Sequence, residues 1–288
     1  MLREMIQGLP GGGRRRAPIT GSTPTPRIAI LGTGFGGLGM AIRLVQSGIT
    51  TFTIYEKADG VGGTWRDNRY PGAECDVPSH LYSLSFAPKH DWSRHYPEQP
   101  EILDYLEQCT DDWDLRSHIR FGTEIVAARF DDDTTTWLLE SREGDEFESD
   151  VLVCALGQLN RPAIPAIAGA DEFAGTQFHS ARWPADHALA GERVAVIGNG
   201  ASAVQFVPRI APVIEHLTVF QRSANWVLPK KNPPFAASTK GLFGRFPALD
   251  RAYRGWIYAS FEARFFWFRR NSRLARLIEK AGHAYREA

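Results

Sequence analysis

The chain of 288 residues balances 33 Lys and Arg against 33 Asp and Glu, so no net charge draws it toward nucleic acid or an anionic membrane surface. Its length suits one large or two ordinary domains with buried cores. The three cysteines, Cys75, Cys109 and Cys154, are too few and too scattered for a disulfide framework or a metal cluster, which fits a reducing, cytoplasmic setting.

Residues 1–26, with Gly11-Gly12-Gly13, Arg14-Arg15-Arg16 and a Pro/Thr/Ser/Gly stretch, read as a disordered lead-in without the apolar core of a signal peptide. Folding is expected to begin at Arg27-Ile28-Ala29-Ile30-Leu31, a short apolar run that breaks into glycines and resumes with helical spacing over residues 38–45. A second run, residues 51–55, is β-branched and aromatic and ends at Glu56, completing a βαβ unit. Next come an irregular Pro- and Gly-rich stretch, an amphipathic helix over 100–109, alternating patterns near 124–130 and 136–141 that predict a small antiparallel sheet, and a buried strand over 151–155. After a Pro-rich link the strand, turn and helix pattern returns at Arg193-Val194-Ala195-Val196-Ile197, with a partner strand over 217–220. The aromatic stretch 255–270 carries charges and is too short to cross a bilayer, so it reads as a partly buried helix, and 271–288 reads as an amphipathic one. This pattern predicts an α/β protein with two Rossmann-like units in a three-layer arrangement.

Gly32-Thr33-Gly34-Phe35-Gly36-Gly37 matches G-x-G-x-x-G in the context that gives the pattern meaning, directly after a strand and before a helix. Gly32 serves the tight turn, Gly34 the approach of a pyrophosphate, Gly37 the packing of helix on strand, and the helix N-terminus supplies N–H donors. Glu56, with Lys57 after it, stands nineteen residues past Gly37, where an acid meets a ribose hydroxyl. The second motif, Gly198-Asn199-Gly200-Ala201-Ser202-Ala203 followed by Gln205, repeats the first at an offset of 166 residues. Nineteen residues past Ala203 stands Arg222, with Ser223 beside it and Lys230 and Lys231 read as support. A carboxylate accepts bonds from a free 2′-hydroxyl and repels a 2′-phosphate, whereas a guanidinium pairs with that phosphate. The first site therefore reads as one for FAD or NAD and the second as one for NADP. Two such sites imply electrons passing from NADPH to a flavin. A disulfide reductase would need paired cysteines near the flavin, and Cys75 has no neighbour within thirty residues.

Three stretches resemble the class B flavoprotein monooxygenases of the Baeyer–Villiger type, and the likeness covers about residues 27 to 235. They are Gly62-Gly63-Thr64-Trp65 continuing through Asn68-Arg69-Tyr70-Pro71-Gly72-Ala73, Cys75-Asp76 and 81–86; the run from Phe173 to Trp183, which carries Phe173, Gly175, His179 and Trp183 at the fixed positions of the F-x-G-x-x-x-H-x-x-x-W fingerprint; and the second glycine turn, closed by Val219-Phe220-Gln221-Arg222. The resemblance implies FAD and NADPH as cofactors and O2 and a ketone or other oxidisable small molecule as substrates; the apolar runs themselves predict no integral membrane segment. It implies Gly63, Thr64, Trp65 and Tyr82 as flavin-side residues and Val126 as a further cofactor-binding residue. Asp76 is implied as the catalytic aspartate that holds an active-site arginine. The resemblance assigns the fingerprint to domain motion and NADP placement; His179 and Trp183, four apart, would share one face on a helical turn and clamp the linker, and a histidine simply packed in the linker is the other reading. Trp183 at the last position favours Baeyer–Villiger oxidation, with N- or S-oxygenation as the alternative.

The corresponding division is an FAD unit over 27–165, a linker with the fingerprint over 166–190, the start of an NADP unit over 191–235 and a helical segment over 236–288. Members of the family continue for about another 150–250 residues, an ordinary domain's worth, and their catalytic arginine belongs to that part. No residue here matches it. A piece of an active enzyme and a truncated nucleotide-binding remnant that oxygenates nothing both stay open.

Overall fold

A computed structural model describes residues 25–159, 161–225, 230–264 and 276. All but the last two residues of the expected lead-in, the end of the aromatic helix over 265–270, and the expected helix over 271–288 apart from Arg276 lie outside the described residues.

The first unit opens with β1 (Ile28–Leu31), α1 (Phe35–Gln46) and β2 (Phe52–Tyr55), with β1 and β2 parallel and Ile28 opposite Phe52. A one-turn helix, α2 (Thr64–Asp67), and a long one, α3 (Gln99–Asp112), follow. Successive side chains of a strand point to opposite faces, and here both faces are used. Ile28, Ile30, Phe52 and Ile54 pack with Leu38 and Ile42 of α1 and Ile102 and Leu106 of α3. Ala29, Leu31 and Tyr55 point the other way, toward Leu139, Trp137 and Phe147.

Those last three residues belong to an antiparallel sheet of which two strands are expected, and Phe147 lies on a third that is not. After β3 (Ile119–Arg120) the chain forms β4 (Ile125–Asp131), β5 (Thr136–Ser141) and β6 (Glu146–Ser149), paired in that order. Helices, parallel sheet and antiparallel meander make three layers. The parallel sheet closes with β7 (Val151–Cys154) in the order β3-β2-β1-β7. β7 corrects the expectation of a buried strand. Among the described residues it pairs with β1 alone and lies at the sheet edge, which leaves Val151 and Cys154 exposed.

The second unit repeats the pattern as β8 (Arg193–Ile197), α4 (Ala201–Ile210) and β9 (His216–Phe220), the strands parallel and in register from Arg193 opposite His216 to Ile197 opposite Phe220. Val196 packs beneath Ala203, Phe206 and Ile210 of α4. On the other face Ile197 is 63% exposed, so this small sheet is covered on one side only among the described residues. Two helices, α5 (Ala237–Arg245) and α6 (Pro247–Ala263), return to the first unit, where Asp250 is buried beside His80 and His90. Among the described residues no helix is long and apolar enough to cross a membrane.

Candidate dinucleotide sites

The first glycine turn is closed from three directions. Gly32 sits at φ +101°, and a Cβ on Gly37 would stand 1.8 Å from the Gly32 carbonyl oxygen, so only hydrogen fits where α1 crosses β1. Ala155, just past β7, lies over Gly32 and Gly36. Gly63, at φ +53°, brings its backbone against Gly34, and the Gly62 amide donates to the Thr33 carbonyl at 3.1 Å. The N-terminus of α1 is thus bordered by the glycine backbone of residues 32–34 and 62–63, a setting that suits a pyrophosphate.

Glu56 lies at the end of β2 beside this turn, buried. One carboxylate oxygen accepts from the Thr33 amide at 2.9 Å and the Thr33 hydroxyl at 2.6 Å, and the other accepts from the Ala58 amide at 2.9 Å. Lys57, next in sequence, is exposed. The Thr123 amide donates to the Glu56 carbonyl at 2.9 Å and ties the start of β4 to the same corner. Val126 falls at a register shift of β4, between Ile125 and Ala127, and is exposed.

Thr64 and Trp65 begin α2 directly after Gly63. The Trp65 indole N–H donates to the Tyr82 hydroxyl at 2.9 Å, and the Tyr82 ring meets Phe35 edge-on at 4.9 Å, so three aromatic residues form one wall beside the glycine turn. Burial pushes the Tyr82 phenol above its usual range, which keeps it neutral. Cys75 is buried in the next loop, and burial raises its thiol to about 11, an inert setting for sulfur.

Asp76 follows on that loop with 64% of its side chain exposed, and its partner is Lys230, whose Nζ lies 3.0 Å from Oδ1. Lys230 also lies 2.5 Å from Glu74 Oε1. The expectation that Lys230 supports a 2′-phosphate is therefore corrected: two carboxylates of the first unit hold its charge.

The second glycine turn is open. A Cβ on Gly198 or Gly200 would meet nothing within 4 Å, in contrast to the crowding at Gly32 and Gly37, while Ala203 supplies the close packing of α4 on β8. Asn199 ties the turn to the end of β9, its amide donating to Gln221 Oε1 at 2.9 Å and the Ser223 carbonyl at 2.8 Å, and the Asn225 side chain donates back to the Asn199 carbonyl. Arg222 sits between those two anchors, exposed at the rim of the turn. Ala201 and Ser202 begin α4, and Gln205 faces the first unit, accepting from the Tyr70 hydroxyl at 2.9 Å and donating to the Glu74 carbonyl at 2.9 Å.

Of the fingerprint residues, Trp183 packs on the cluster that holds Ala203 at the end of the second motif. His179 caps a three-residue 3₁₀ turn, Ser180–Arg182, its ring nitrogen accepting from the Ala181 amide at 3.1 Å, and Trp183 leaves the turn in extended conformation. The shared helical face is thus corrected. Trp183 precedes Pro184, which disfavours helical backbone at that position. The Trp183 ring packs on Phe206 of α4 at 5.3 Å and on Phe178 at 5.1 Å, and Arg182 reaches Asp67 of α2 at 3.4 Å. Phe173 is exposed, its ring against Gly175.

Comparison with known proteins adds to this geometry. Residues 25–234 match the family described as flavin-binding monooxygenase-like, a span that includes both glycine turns and the fingerprint. The chain belongs to the flavin-binding monooxygenase-like family. A Baeyer-Villiger monooxygenase of Streptomyces coelicolor is 47% identical over 232 residues, covering 81% of this chain and 44% of the relative. One from Pseudomonas aeruginosa is 41% identical over 277 residues, covering 94% of this chain and 53% of the relative. A solved structure, OTEMO in complex with FAD and NADP, superposes with a TM-score of 0.73 at 34% identity, over 78% of this chain and 44% of that one. This flavin-binding monooxygenase-like chain spans about half the length of the curated relatives it matches.

Sequence reasoning missed Thr33, Glu74 and Asn232. Thr33 occupies a variable position of the glycine motif, and the contacts of Glu74 and Asn232 cross between distant stretches, where no local pattern announces them.

Proposed function

We propose that this chain carries the FAD site and the first part of the NADPH site of a flavoprotein monooxygenase that inserts one atom of O2 into a ketone, giving an ester or lactone. The observation that carries this reading is the charge contrast at two equivalent positions. Glu56 presents a buried carboxylate beside a closed glycine turn, and Arg222 presents an exposed guanidinium beside an open one. The names of the relatives, Baeyer-Villiger monooxygenases, and the FAD and NADP of the OTEMO structure support the same assignment.

In this reading Gly32, Gly34, Phe35, Gly36 and Gly37 cradle the flavin pyrophosphate, Glu56 accepts from the adenosine ribose, Lys57 and Val126 border the adenine, and Gly63, Thr64, Trp65 and Tyr82 line the ring system. Gly198, Asn199, Gly200, Ala201, Ser202, Ala203 and Gln205 form the NADPH turn, with Arg222 and Ser223 on the 2′-phosphate. The two cofactors, when bound, supply hydride transfer and oxygen activation. The chain's part is to exclude the wrong nucleotide at each site by charge, to keep Tyr82 neutral, and to place the carboxylate of Asp76 with its counter-charge near the flavin. The fingerprint run meets α4 through Trp183 on Phe206 and the first unit through Arg182 on Asp67.

Mixing the purified protein with FAD and then NADPH tests the reading. Retained FAD, reduction by NADPH in preference to NADH, and ketone-dependent oxygen uptake are expected. A protein that takes up no flavin contradicts it.

A further inference from the structure

Four contacts of the second half of the chain converge on one residue of the first. The Glu74 carbonyl accepts from Gln205 of α4 at 2.9 Å, and its amide faces the same side chain at 3.4 Å. The Glu74 carboxylate receives Lys230 at 2.5 Å on one oxygen and the Asn232 amide at 3.1 Å on the other. Asn232 also pairs with both backbone groups of Tyr96, accepting from the amide at 2.8 Å and donating to the carbonyl at 3.0 Å, as a neighbouring strand would. Beyond it the His95 amide donates to Pro233 at 3.2 Å and the Phe235 amide to Ser93 at 2.9 Å, so residues 232–235 are laced onto residues 93–96.

Lys230 is shared unequally within this clasp. Its ammonium lies over the Tyr96 ring at 4.9 Å and between a half-buried Glu74 and a mostly exposed Asp76. Burial alone would lower its pKa, and the two carboxylates more than offset that and hold it above the usual lysine value. An exposed carboxylate such as Asp76 gains little from a mobile lysine. Asp76 has a fixed counter-charge because the lysine is anchored elsewhere.

We infer that Glu74 is a positioning residue: by anchoring Lys230 it locks residues 230–235 onto the first unit and holds a positive charge at Asp76. The inference rests on the proposed function only for the meaning of Asp76, since the clasp itself is independent of any cofactor. It makes the setting of the flavin-side carboxylate depend on the seating of the NADPH unit.

Amide hydrogen exchange on the cofactor-free protein and redox titration of the FAD-loaded protein test it together. E74Q and K230M should each speed exchange at Tyr96 and Phe235 about fivefold or more while the amides of β1 and β8 keep their protection. The double variant should go no further than either single one, because the two residues act as a unit. K230R, which keeps the charge, should stay within about twofold of the parent. In the FAD-loaded protein K230M should move the flavin potential negative, as two carboxylates lose their counter-charge, and K230R should leave it in place. Unchanged exchange in both single variants, or additive effects in the double one, would overturn the clasp. An unmoved potential in K230M would overturn its reach to Asp76. A protein that fails to bind FAD contradicts the proposed function instead, and the exchange measurements still decide the clasp.

Discussion

The side chain of Glu56 reaches back across the glycine turn to Thr33 and takes its amide at 2.9 Å and its hydroxyl at 2.6 Å on a single carboxylate oxygen. The other oxygen takes one donor among the described residues, the Ala58 amide. A carboxylate offers about four acceptor directions, so capacity remains for a ribose hydroxyl.

Glu56→Gln is expected to harm both folding and binding. One face of the amide would turn an N–H toward an N–H, at Thr33 or at Ala58, at a cost of about 1–3 kcal/mol for a buried donor left unmet. Thermal unfolding of the cofactor-free variant should show the loss, and FAD titration should show affinity reduced about tenfold or more.

The two glycine turns predict opposite responses to a methyl group. Gly37→Ala places a Cβ 1.8 Å from the Gly32 oxygen and should prevent stable folding of the first unit. Gly200→Ala meets nothing within 4 Å and should change stability by no more than about 1 kcal/mol while weakening NADP⁺ binding, because its methyl stands where the pyrophosphate approaches. Circular dichroism melts and NADP⁺ titration distinguish the two.

His80 is buried among Phe235, Phe243 and Tyr253, with Nε2 3.5 Å from Asp250, whose other oxygen meets His90 at 2.8 Å. Burial lowers its pKa from 6.5 to about 4, against the opposing pull of Asp250 and with smaller contributions from His90 and His95. The unfolded chain therefore binds a proton that the folded one refuses, and stability should fall as pH drops from about 6.5 to about 4, by up to about 3 kcal/mol, with no further loss from this group below that window. Urea midpoints measured across the window check this, and His80→Phe should flatten the slope.

Trp183→Ala removes the packing of the fingerprint on Phe206 and Phe178. A loss of about 3 kcal/mol is expected in the second unit, with weaker NADP⁺ binding. Phe173→Ala, at an exposed ring, should leave the melting temperature in place.

Both βαβ units were legible because each shows an apolar run, a glycine break and a change of period from 2 to 3.6, all local signals. Two strands of the meander, β4 and β5, were legible from alternation, whereas β6, four residues with Phe147 as its one apolar side chain, was not. The burial of β7 was not, because Val151-Leu152-Val153 reads the same at a sheet edge as in a sheet centre. Nor was the turn at His179, where helical spacing competed with Pro184 and the proline prevailed. The placement of Lys230 depends on Glu74 and Asp76, more than 150 residues earlier. Such long-range charge pairing leaves no trace in spacing, and the nearer reading, a lysine in the neighbourhood of Arg222, misassigned it.

Nucleotide preference at the second turn bears most directly on the account. The parent protein should bind NADP⁺ at least about tenfold more tightly than NAD⁺, and Arg222→Glu should bring that ratio to about one or below, since a carboxylate there repels the 2′-phosphate. Equal affinity of the parent for the two nucleotides, or a preference that survives the substitution, would contradict it.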